Sequence, residues 1–179
     1  MRMMVTLDGS EFAEAAIGPA AKLAKDAKAQ VYLVQVVELG RIRGTSGDGP
    51  ESHGEAVRAE YTGEGVHIPR ATAARAPEPR TPESLGQALD RAVQTSKDYL
   101  RGLAGQFAPL KPELVALAGD DVDAELIKFA KEHQIDLIAM ATHGRTGLAK
   151  VVMGSHAARM LGQRLAPVMV VRPDHLRQA

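Results

Sequence analysis

The sequence predicts an α/β fold: a doubly wound, open parallel sheet with helices on both faces. Three observations carry this reading. Short apolar runs rich in β-branched residues recur along the chain, amphipathic helical stripes stand between them, and the two alternate. Strands separated by helices need crossover connections, and crossovers make parallel sheets. The first run is Met3-Met4-Val5-Thr6-Leu7, closed by Asp8-Gly9-Ser10, a turn and helix-start signal. Phe12, Ala16, Ala20, Leu23 and Ala27 then recur at helical spacing, with Pro19 expected to kink or interrupt that helix. Residues 31–37, VYLVQVV, form a nearly continuous β-branched and apolar run, the pattern of a strand buried on both faces.

The next stretch differs. Residues 43–82 hold six Gly and five of the ten Pro, and the large aliphatics are only Val57, Val66 and Ile68. Such a segment buries little apolar surface, so it is expected to be a long loop or insertion within a single domain spanning residues 1–179. Thr81-Pro82-Glu83 supplies a helix start. The stripe Leu85, Leu89, Val93, Ser96, Leu100, Leu103 and Phe107 continues it. A third strand is predicted over 113–118, ending at Gly119. Asp120 and Asp121 can cap a helix with the face Val122, Leu126, Ile127 and Ala130. A fourth strand is predicted over 135–142. A glycine-containing loop, His143-Gly144-Arg145-Thr146-Gly147, leads to a helix near Gly154-Ser155 with Ala158, Leu161 and Leu165 on one face. Residues 167–171 form the last strand.

Composition narrows the function. At 179 residues, the chain has the length of one domain, and it carries 22 Lys+Arg against 22 Asp+Glu. Non-specific nucleic-acid binding draws its affinity from phosphate contacts, and no basic surplus exists to make them. Three Phe, three Tyr and no Trp give few faces for stacking bases. With no cysteine, disulfides, thiolate metal sites and cysteine nucleophiles are excluded. No apolar run reaches the roughly 18 residues of a membrane span, and the amino terminus lacks the pattern of a signal peptide, so the expected location is the cytoplasm.

In open parallel sheets ligands bind beyond the carboxyl ends of the strands, where the strand order reverses. That rule nominates Asp8, the end of the second strand at Val36, and the segment from Ala141 to Ser155. Glycines there let the backbone approach an anion, and a helix amino terminus adds partial positive charge. Neither common phosphate fingerprint, G-x-G-x-x-G or G-x-x-x-x-G-K-[ST], is present. Asp8 also suits a turn or helix cap, Gly144 and Gly147 suit ordinary turns, and Asp120, Asp121 and Asp123 suit capping better than metal binding. Asp8, Ser155 and His156 carry the letters of a hydrolase triad. Adjacent helical residues diverge by about 100°, however, and no G-x-S-x-G elbow occurs.

These residues resemble the universal stress protein family. The segment 5–10, VTLDGS, resembles its first strand, and 34–38, VQVVE, its second. Ala141-Thr142-His143-Gly144, then Gly144-x9-Gly154-Ser155, resembles the G-x2-G-x9-G-[ST] motif of members that bind ATP, and 166–171, APVMVV, resembles the closing strand. The resemblance implies a Rossmann-like sheet of order 3-2-1-4-5. It also implies a regulatory, non-catalytic stress-response protein that binds ATP, with Mg2+ bridging the phosphates, and a homodimer formed through the strand at 167–172. The nucleotide-binding set it implies is Thr6, Leu7, Asp8, Val36, Met140, Ala141, His143, Gly144, Arg145, Gly147, Gly154, Ser155 and His156. Ala141 departs from the first motif glycine, Thr6 from a usual proline, and Ala157 from a frequent hydroxyl residue. A slow ATPase and a nucleotide-free dimeric interaction module of the same fold are the alternatives.

Overall fold

In the computed structural model, the described residues are 1–45, 84–141 and 155–172, with the side chains of 43–45 and 155 outside that set. Five strands form one parallel sheet in the order β3-β2-β1-β4-β5. β1 (Arg2–Leu7) lies at its centre, paired on one side with β2 (Gln30–Glu38) and on the other with β4 (Leu137–Ala141). β3 (Glu113–Gly119) flanks β2, and β5 (Val168–Val171) flanks β4. The fold class and the strand order are those expected.

A central strand must be apolar on both faces, and β1 is. Met3, Val5 and Leu7 pack with α1 (Glu11–Glu14), α2 (Ile17–Asp26) and α4 (Leu85–Ala104) on one side, while Met4 packs with α5 (Val122–Glu132) and α6 (Ser155–Gly162) on the other. The alternation of these side chains follows from the two-residue period of a strand. At the amino end β1 and β4 are stitched together. The Arg2 amide donates to Asp136 Oδ2 at 2.7 Å, and the Asp136 amide donates to the Arg2 carbonyl at 2.9 Å.

Several helical details differ from the sequence reading. The first helix is interrupted as expected, but the break falls at Ala15 and Ala16, ahead of Pro19. Pro19 therefore sits in the first turn of α2, where a missing N–H leaves no bond unmade. The buried face is Ala13, Ala16, Ile17, Ala20, Ala21 and Ala24, so Ala16 and Ala20 face inward as expected, whereas Leu23 and Ala27 are exposed. α3 (Leu39–Thr45) follows β2 directly, so residues 43–45, read as the start of the loop, belong to a helix. The remainder of that predicted loop, 46–82, lies outside the described residues. The expected start at Thr81 also lies outside them. α4 is capped later, by Ser84: its Oγ accepts from the Gln87 amide, and the Gln87 side chain accepts from the Ser84 amide. Leu85 is exposed, and the buried positions of α4 are Ala88, Ser96, Leu100 and Leu103. Phe107 belongs to a short 3-10 turn and is fully buried.

On α6 the predicted face is rotated by about one residue. Ala157 and Met160 face the core, while Ala158 and Leu161 are exposed. The side chains settle this phase by reaching the sheet, which local periodicity alone does not specify. Truncation tests it. Met160→Ala should cost about 2–5 kcal/mol in urea denaturation, the usual range for emptying a buried site. Leu161→Ala should cost less than about 1 kcal/mol.

Candidate functional site

The amino end of the sheet is closed by polar pairing, but the carboxyl end opens into a cleft of about 720 Å³. That volume is in the range of small-molecule sites. The cleft straddles β1 and β4, the two strands between which the order reverses, and reaches over β2. Thr6, Leu7, Asp8 and Gly9 enter from β1, residues 35–38 from β2, and Met140 and Ala141 from β4. Helices complete the wall: Arg41 and Ile42 of α3, Tyr99 and neighbours of α4, Val122 and Leu126 of α5, and His156 of α6.

Of the residues expected at the site, Thr6, Leu7, Asp8, Val36, Met140, Ala141 and His156 converge on this one cleft. Ser155 opens α6, beside His156. His143, Gly144, Arg145, Gly147 and Gly154 lie outside the described residues. Ala157 is buried in the core, so position 157 faces the sheet, and its lack of a hydroxyl removes no group from the described cleft wall.

Asp8 has a structural role as well as a place in the cleft. Its Oδ1 accepts from the Ser10 amide at 2.9 Å and from the Ser10 hydroxyl at 2.6 Å. Ser10 in turn caps α1, its Oγ accepting from the Ala13 amide at 3.2 Å. This side-chain turn lifts the chain off the end of β1. Gly9 makes the turn with φ at 81°, a left-handed conformation costly to other residues. A Cβ on Gly9 would also stand 3.3 Å from Gln35 Nε2.

The two sides of the cleft differ chemically. Val36, Val122, Leu126 and Met140 make an apolar wall on the α5–α6 side. The α4 side is polar: Thr95, Ser96 and Tyr99 face the cleft with Gln35, and the Ser96 hydroxyl donates to Gln35 Oε1 at 2.7 Å. The Tyr99 hydroxyl is buried beside the Glu14 carboxylate. Burial pushes its pKa far up, and the carboxylates of Glu14 and Asp8 add to the shift. At the rim Glu38 pairs with Arg41 at 3.1 Å, both largely exposed.

His156 is held from outside the cleft. Its Nδ1 lies 2.6 Å from Asp123 Oδ1, while Arg159 Nη1 donates to Asp123 Oδ2 at 2.8 Å. Asp123 is buried, and this one carboxylate fastens the first turn of α5 to α6. Asp121 is the true cap of α5, accepting from the Asp123 and Ala124 amides. His156 thus pairs with Asp123, with no bond to Asp8, and the triad letters are not assembled. Among the described residues no three or more His, Asp or Glu converge as a metal site. Nor is any helix among them long and apolar enough to cross a membrane.

Comparison with known proteins bears on the family and the fold. The sequence profile described as "Universal stress protein family" matches residues 1–172. The chain belongs to the universal stress protein family. A curated member, universal stress protein MJ0531 of Methanocaldococcus jannaschii, is 25% identical over 171 residues, covering 96% of this chain and 81% of the relative. Among solved structures, universal stress protein UspA from Lactobacillus plantarum superposes with a TM-score of 0.63 at 22% identity, covering 96% and 97% of the two chains. The universal stress protein of Archaeoglobus fulgidus in complex with dAMP superposes at 0.50 with 16% identity, covering 96% and 97%. At these identities the structures speak for the shared fold.

Sequence reasoning missed Gln35, Tyr99 and Arg159, and it read Asp123 as a cap where the structure has it join α5 to α6. A polar Ser96 inside an otherwise apolar stripe was the signal for the α4 wall. Asp123 gives no local signal, because its partners lie 33 and 36 residues away. The Asp123 cluster makes an asymmetric prediction. Removing both partners, His156→Ala with Arg159→Ala, leaves a buried unpaired carboxylate and should cost of the order of 3 kcal/mol. Asp123→Asn, which leaves the two exposed partner side chains to solvent, should cost about 1–2 kcal/mol. Urea denaturation of the two variants checks the ordering.

Proposed function

We propose that this universal stress protein is a regulatory binding protein for adenine nucleotides, with ATP and bridging Mg2+ as the ligand. The observation that carries the reading is the cleft at the carboxyl ends of β1 and β4, where the strand order reverses. Seven of the residues that the family resemblance implies line it. The dAMP complex of the Archaeoglobus fulgidus relative supports an adenine nucleotide as the ligand class.

In this reading the adenine packs against Val36 and Met140, Asp8 accepts from the nucleoside, and the phosphates meet the segment Gly144–Ser155 and the start of α6. Successive backbone N–H groups there and the partial positive charge of a helix amino terminus would hold the anion. Mg2+ would bind through phosphate oxygens. The reading is of a regulatory binding protein, with a slow ATPase as the alternative. The protein acts as a cytoplasmic homodimer through β5, the sheet edge beyond β4.

A thermal-shift titration tests it, with ATP, ADP, AMP and cyclic AMP, each with and without Mg2+. A ligand at 100 times its Kd stabilises the folded state by about 2.7 kcal/mol, which is a rise of several degrees for a chain of this length. ATP with Mg2+ should give the largest rise, and Gly154→Val should abolish it while keeping the Tm of the free protein. No rise with any nucleotide, from protein shown to be nucleotide-free, contradicts the reading.

A further inference from the structure

His156 stands in the first turn of α6, lines the cleft and is largely exposed. Its Nδ1 lies 2.6 Å from Asp123 Oδ1, and Arg159 Nη1 donates to the other oxygen of that carboxylate at 2.8 Å. Asp123 is buried and is not part of the cleft wall, so the ring is held from behind. An ionised carboxylate only accepts, so Nδ1 carries a hydrogen and donates it. The ring nitrogen left for the cleft is then Nε2. A carboxylate that needed only a counter-charge could take both donors of a guanidinium. Here one oxygen is given instead to an imidazole at the cleft.

With Nδ1 committed, Nε2 has two states. In the neutral ring it is an acceptor, and it meets a phosphate oxygen as acceptor to acceptor. In the imidazolium it is a charged donor. Histidine is the side chain whose ordinary titration falls between about pH 5 and 8. The other titratable or charged groups around the cleft are Asp8 from β1, Glu38 from β2, Arg41 from α3, and Arg91 and Tyr99 from α4. On α5, Asp121 gives Oδ1 to two amides and Glu125 lies against Gly119, while Arg172 follows β5. Carboxylates and guanidiniums ordinarily hold their charge from about pH 6 to 8. Burial pushes the Tyr99 phenol up, away from that range. His133 stacks on Phe129 at the far end of α5.

We propose that His156 makes anion binding in this cleft proton-coupled. The imidazolium donates from Nε2 to a phosphate oxygen, the neutral ring does not, and Asp123 is the positioning residue that commits Nδ1. This rests on the adenine-nucleotide reading above and adds regulation by pH to it. Because binding linkage is reciprocal, ligand binding takes up a proton at His156 and a fall in pH tightens the complex. A nucleotide is affected and a nucleoside, which carries no phosphate, is not.

Isothermal titration with ATP at about pH 6 and about pH 8 tests this, with adenosine as the uncharged control and His156→Gln beside the parent. The phosphate of the ligand also titrates near this range, and the variant subtracts that contribution. The ratio of ATP affinities at the two pH values should be about 5–10-fold larger in the parent than in His156→Gln. Adenosine should show no such difference. In paired buffers of different ionisation enthalpy, the parent should take up more protons per ATP bound than the variant. Asp123→Asn keeps the ring and removes the carboxylate, and should shrink the ratio toward that of His156→Gln. Equal ratios and equal proton uptake in the parent and His156→Gln overturn the proposal and leave the nucleotide reading standing. A pH effect as large for adenosine as for ATP also overturns it. An Asp123→Asn profile identical to the parent's overturns the positioning role. A parent that binds no ATP at either pH overturns the adenine-nucleotide reading itself.

Discussion

Everything in this molecule depends on the pairing of β1 along both edges. Met3, Met4 and Val5 are wholly buried, and each pairs through the backbone with β2 on one side and β4 on the other. One strand thereby serves two hydrophobic cores, one under α1, α2 and α4 and one under α5 and α6. Its neighbours are reached by connections that leave in opposite directions, and a parallel sheet built this way cannot close its carboxyl end at the reversal. At the amino end, the exchange between Arg2 and Asp136 fills the corresponding gap. The cleft is therefore a consequence of topology before any side chain is chosen.

Side chains then divide the cleft. On the α5–α6 side, polar groups are satisfied: the buried Asp123 carboxylate has His156 on one oxygen and Arg159 on the other. That carboxylate holds in place the helix turn next to which an anion would bind, and its own charge is countered by the Arg159 guanidinium. The α4 side is polar as well: Ser96 donates to Gln35, and the Tyr99 hydroxyl is buried beside Glu14.

The strands were legible in the sequence because a buried parallel strand writes itself as a continuous apolar run, as β1 and β2 do. The general rule for open sheets named Asp8, Val36 and Ala141 at the strand ends, and the family resemblance added Thr6 and Met140. Helix faces were less legible. Alanine-rich helices such as α2 carry two nearly equivalent stripes, and only contact with the sheet selects Ala24 over Leu23. The phase of α6 failed for the same reason, since Leu161 looks more like core than Ala157 does. Asp123 was hidden differently. Two residues after a capping aspartate it reads as a first-turn acid, and its meaning comes from α6. Tyr99 sat one position from the buried Leu100, and nothing local distinguishes a ring packed in the core from one that lines the cleft.

The central claim is that an adenine nucleotide occupies the carboxyl-end cleft. Amide chemical-shift mapping of the labelled protein during an ATP titration tests it most directly. The account predicts saturable shifts clustered at residues 6–9, 35–38, 140–141 and 156, with the amino-end pair Arg2 and Asp136 unmoved. Shifts centred on the amino end of the sheet, or none at saturating ATP, would contradict it.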